Sequence, residues 1–94
     1  MPMTVFDISD EPDKFIKANS PNVNRFVIMK YSHTQPELII VAVINEEDGE
    51  AISGICPIRE NHESLRRVIE LLDYSGCRWL YDRGALLAND DAYT

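Results

Sequence analysis

The sequence is poor in the residues that usually advertise chemistry. Its 94 residues include two cysteines, two histidines, four glycines and one tryptophan. Two cysteines are too few for a disulfide scaffold, and a cytosolic chain keeps them reduced. Cys56 lies between Ile55 and Pro57, and Cys77 is close to Trp79. Both are expected to be buried and to behave as small hydrophobes.

Long hydrophobic runs are missing too. The longest, Leu38 to Ile44, is far short of the roughly 20 residues a bilayer helix needs. The stretch Met1-Pro2-Met3-Thr4-Val5-Phe6-Asp7 has no basic region leading into an apolar one, so no signal peptide is expected. The expectation is a cytoplasmic protein with no membrane partner.

Motifs for catalysis and metal binding are likewise lacking. His33, His62, Cys56 and Cys77 form no C-x2-C or H-x3-H pair, so no metal site is expected. No glycine precedes Lys-Ser or Lys-Thr, which excludes a phosphate-cradling loop of that type. Ser53 sits in no nucleophile elbow, and neither cysteine has the setting of an activated thiolate. Asn45 to Glu50 lacks the alternating oxygen ligands and distal Glu of a calcium loop. The expectation is a protein that is not an enzyme and uses no cofactor.

Positive charge is scarce. Nine Lys and Arg stand against sixteen Asp and Glu, for a net charge of −7. Such a chain is repelled by nucleic acid and attracted to basic surfaces. Its acids cluster: Asp7, Asp10, Glu11 and Asp13; then Glu46, Glu47, Asp48 and Glu50; then Asp90 and Asp91. The first two clusters are candidate partner-binding surfaces. Placed on one face, they would imitate successive phosphates of a nucleic-acid backbone. A third candidate is Arg78-Trp79-Leu80-Tyr81-Asp82-Arg83, with Tyr74 and Tyr93 nearby. There Trp79 and Tyr81 are the residue types that dominate binding hot spots.

What is present is an ordinary core. An apolar share of 45% over 94 residues builds one two-layer domain, residues 1–94, with 89–94 a polar, flexible tail. Ser9, Asp10, Glu11 and Pro12 read as a helix start, giving a short helix from about Asp10 to Ala18. From Arg25 the apolar period becomes two, a strand. Leu38 to Ile44 is a continuous apolar run rich in β-branched residues, as in a strand covered on both faces or central in its sheet. Asn45 to Gly49 reads as a hairpin loop, with Gly49 suited to positive φ. Glu50 to Ile58 returns as a strand, bulged at Ser53-Gly54 and placed at an edge by Pro57.

Leu65, Val68, Ile69 and Leu72 form the core stripe of the main helix, capped by Asn61 and ended by Gly76. Glu63 with Arg67 and Arg66 with Glu70 are spaced for ion pairs on its outer side. Residues 77–88 fit a strand or a helical turn. The fold class is α+β: a three-stranded antiparallel meander, with a fourth strand an open alternative, packed on one main helix and a short N-terminal helix. The order α–β–β–β–α resembles double-stranded-RNA-binding domains in topology. That family grips phosphate with basic residues at a helix N-terminus. Here Arg59, Arg66 and Arg67 alternate with Glu60, Glu63 and Glu70, so the resemblance does not extend to RNA binding.

The resulting expectation is a small acidic inhibitor that binds a basic, nucleic-acid-handling protein. Phage or mobile-element counter-defence proteins, of anti-CRISPR, anti-restriction or nuclease-inhibitor type, share this general character. An immunity protein or antitoxin, or a homodimeric adaptor paired through the strand at Glu50 to Ile58, are the alternatives.

Overall fold

The computed structural model describes residues 11–59 and 61–88. Six elements follow in order: α1 (Pro12–Asn19), β1 (Arg25–Lys30), β2 (Leu38–Glu46), β3 (Gly49–Ile58), α2 (His62–Ser75) and β4 (Arg78–Leu86). They form one four-stranded sheet in the order β3-β2-β1-β4. The strands β1, β2 and β3 are the antiparallel meander the sequence suggests. The fourth strand departs from it: β4 lies parallel to β1 at the opposite edge from β3, so the sheet is mixed. A return through α2 makes this possible, because parallel strands need a long crossover.

Local chemistry explains most boundaries. β2 is central, paired on both sides, and Ile39 to Val43 are all buried. The β2–β3 strands extend further than expected: Glu46 pairs with Gly49, leaving Glu47-Asp48 as a two-residue turn. Gly49 has φ 129°, a conformation costly for any residue with a Cβ. Ser53 is the extra residue of a bulge, since Ala42 faces Gly54 while Val43 faces Ile52. Asn61 caps α2, its Oδ1 accepting from the Ser64 N–H at 2.8 Å. Gly76 ends it at φ 75°.

Two expectations shift. α1 starts at Pro12 rather than Asp10, so Glu11 takes the cap position and makes no side-chain cap bond. Ser9 and Asp10 lie outside the described residues. Residues 78–86 are a strand, and not a helical turn.

Both helices contribute to one apolar cluster, with Phe15, Ile16, Val68 and Leu72 packed on Phe26, Ile28, Ile40, Ala42, Cys56 and Ile58. Phe15 meets Phe26 edge-on at 6.2 Å between ring centroids. Fully burying a side chain such as Ile28 or Leu72 contributes about 1.5–3 kcal/mol. The opposite face of the sheet carries a second cluster of Val27, Ile39, Val41, Val43 and Ile55. No described helix residue belongs to that second cluster.

Candidate functional site

The sheet places the acidic clusters at opposite ends of β3. Glu46, Glu47 and Asp48 form the tip of the β2–β3 hairpin. Glu11 and Asp13 sit at the start of α1, where Pro12 and Asp13 share a small cleft with Pro57 and Arg59. Eight residues of strand separate Gly49 from Pro57, roughly 26 Å at ordinary strand rise. Glu11 and Asp13, the described members of the first cluster, thus do not merge with the hairpin tip into one patch. Asp7, Asp10 and the pair Asp90 and Asp91 lie outside the described residues, as does Tyr93.

Several acids are already occupied within the fold. Glu50 accepts from both Nη atoms of Arg25, with Nη2 to Oε1 at 3.0 Å. That side-chain hydrogen bond holds the Glu50 carboxyl below its usual range, assisted by the charge of Arg25. Asp13 Oδ2 accepts from Arg67 Nη2 at 2.7 Å, tying α1 to α2. Glu11 lies 3.3 Å from Lys14 Nζ. Neither helical pair, Glu63–Arg67 or Arg66–Glu70, forms an ion pair, and Arg67 reaches across to α1 instead.

The hairpin tip differs. Glu47 and Asp48 are exposed and Glu46 is half-buried. None of the three forms an ion pair among the described residues. Two consecutive residues hold the base of this tip. Asn24 Oδ1 accepts from the Asn45 N–H of β2 at 2.6 Å, while Arg25 grips Glu50 of β3. The Asn24 N–H also donates to the Val43 carbonyl at 2.7 Å. Both strands below the tip are therefore tied to the entry of β1, and three acids stand on a braced support.

Two aromatics of the third candidate pack on the scaffold. Trp79 and Tyr81 are half-buried against the helix-side core. Trp79 Nε1 donates to Asp73 Oδ1 at 2.8 Å, linking β4 to α2. Leu80 points to the other face and is 43% exposed. Tyr74 is the aromatic left outside, 92% exposed on α2. With Ile16, Lys17 and Leu71 it borders a groove of about 420 Å³ between the helices. Its helical position, off the Leu65-Val68-Ile69-Leu72 stripe, was the signal for that exposure.

The thiols and imidazoles do not assemble. Cys56 is fully buried in the core. Cys77 is only half-buried, less than the sequence suggests, and its Sγ donates to the Ser20 carbonyl at 3.1 Å. Among the described residues no group of three or more His, Cys, Asp or Glu is placed to hold a metal ion. No described helix is long and apolar enough to cross a membrane. Comparison of the chain with protein-family models, curated proteins and solved structures returned no match.

Proposed function

We propose that this is a non-catalytic binding protein that meets a basic surface on a protein partner through the hairpin tip Glu46-Glu47-Asp48. One observation carries the reading: three adjacent carboxylates without an ion pair among the described residues stand on a hairpin braced by Asn24 and Arg25. An anchored, charged tip reaches its partner with little ordering cost, and opposite charge speeds encounter. Glu50 and Asp13 support the scaffold rather than the contact, since each already serves an arginine. The net charge of −7 favours a basic partner over nucleic acid itself. An inhibitor of a nucleic-acid-handling protein, of the kind used in phage counter-defence, fits this chemistry, as does an immunity protein or antitoxin.

A homodimer through β3 is the weaker reading. Its outer edge carries the Ser53 bulge, Pro57 and the charge of Glu50, devices that discourage strand-to-strand addition.

The test is affinity capture of the tagged full chain from its native host, with mass spectrometry, at low and at high salt. The reading expects a basic protein retained at low salt and released at high salt. Recovery of no partner at low salt would sink it.

A further inference from the structure

A second site lies away from the hairpin tip, at the far end of the helix-side face. Between Tyr81 and Leu86, β4 loses register with β1: four residues, Asp82-Arg83-Gly84-Ala85, lie opposite the single residue Met29. Bulges of this kind re-aim side chains and recur beside binding sites. Beside it is a cavity of about 460 Å³, wide open to solvent and lined by Lys30, Pro36, Leu38, Tyr81 and Arg83. That volume falls in the range of small-molecule pockets, roughly 300–1,000 Å³.

Its charge is opposite to that of the chain. Lys30 and Arg83 both border the cavity, and neither forms an ion pair among the described residues. Eleven of the sixteen acids lie among the described residues, and none of those pairs with either cation. Asp82, beside Arg83, instead turns its Oδ1 to the Gly84 N–H at 3.1 Å, closing the bulge. Glu37, beside Leu38, is paired with neither cation. The Arg83 guanidinium lies over the Tyr81 ring, 5.3 Å from its centroid, which orients the planar fork. Two cations without an ion pair among the described residues share an opening whose other walls are a proline, a leucine and an aromatic ring. Arg presents paired donors that match a carboxylate or phosphate, and Lys adds a point charge.

We propose that the cavity between Lys30, Tyr81 and Arg83 binds a small organic anion, with a phosphate or carboxylate head held by the two cations and an apolar body on Pro36, Leu38 and Tyr81. Lys30 is the residue the sequence hides. It occupies an inward position of β1 in line with Phe26 and Ile28, where a charge needs a reason.

The test is an NMR titration of the ¹⁵N-labelled full chain, in phosphate-free buffer, with phenyl phosphate, benzoate and inorganic phosphate. Shifts are expected at amides of residues 30–38 and 81–86 with phenyl phosphate, benzoate or both, at lower concentration than with inorganic phosphate. Whichever organic probe binds tighter identifies the head group. Arg83→Ala and Lys30→Ala should each weaken that probe about tenfold or more, the scale of a lost charged hydrogen bond. Arg83 is exposed, so its variant should keep the wild-type spectrum elsewhere. The proposal is overturned if neither organic probe shifts these amides. It is equally overturned if inorganic phosphate binds as well as both, or if Arg83→Ala leaves affinity unchanged.

Discussion

Arg25 and Glu50 are joined across the central strand, the guanidinium of β1 reaching over β2 to the carboxylate of β3. Together with the Asn24–Asn45 hydrogen bond, this pair fixes the base of the hairpin whose tip carries Glu46, Glu47 and Asp48. Fold and proposed function meet at these two contacts.

The Arg25–Glu50 pair gives stability a dependence on acid. The Glu50 carboxyl titrates below its usual range in the folded chain, so the unfolded chain binds its proton first. The stabilisation is present above the usual carboxylate range and is lost as pH falls through the lowered folded value. Glu50→Gln should therefore flatten the acid side of the Tm-against-pH curve and leave its neutral side smooth. Carboxyl NMR titration should find Glu50 ionising at lower pH in the wild-type chain than in the Arg25→Ala variant. The same Glu50 titration in both would refute the pairing.

Bracing of the tip is separable from its charge. Asn24→Ala removes the acceptor for the Asn45 N–H, and Arg25→Ala frees Glu50. Each should speed amide hydrogen exchange at residues 45–50 far more than at Ile28 and Ile40, where exchange follows global stability. Equal acceleration everywhere would mean that these residues stabilise the fold generally and brace nothing.

Core substitutions should follow burial. Leu72→Ala, at a fully buried site, should cost about 3 kcal/mol in chemical denaturation. Leu80→Ala, at a position 43% exposed, should cost under about 1 kcal/mol. Val41 is 1% exposed on the second face. Val41→Ala should cost about 1–3 kcal/mol, showing that this face is a second packed layer rather than open surface.

The two thiols should react differently. Cys56 is fully buried and Cys77 half-buried. A thiol reagent applied to the folded chain should label Cys77 and spare Cys56 until denaturant is added. Labelling of both at one rate would contradict the core described here.

Much of the scaffold was legible because its signals are local. The apolar run Leu38 to Ile44 announces a central strand, Asn61 and Gly76 bracket α2, and Ser53-Gly54 with Pro57 marks a bulged edge. β4 stayed open between strand and helical turn because the four residues of its bulge break the alternation begun by Trp79 and Tyr81. Its parallel pairing with β1 is also a non-local event. The same distance in sequence hid the electrostatics. Arg67 prefers Asp13, 54 residues away, over the neighbour spaced for it on its own helix. Arg25 claims one acid of the hairpin cluster from 25 residues away. Composition alone could show that the chain is acidic, but only the sheet separates the acids that hold it together from those left over.

The most direct measurement is the affinity of the captured partner for the wild-type chain and for the Glu46→Lys, Glu47→Lys, Asp48→Lys variant, by calorimetry at low salt. The account predicts at least a tenfold loss in the variant, with its Tm close to wild type because all three residues lack internal partners among the described residues. A folded variant that binds as tightly as wild type would contradict it.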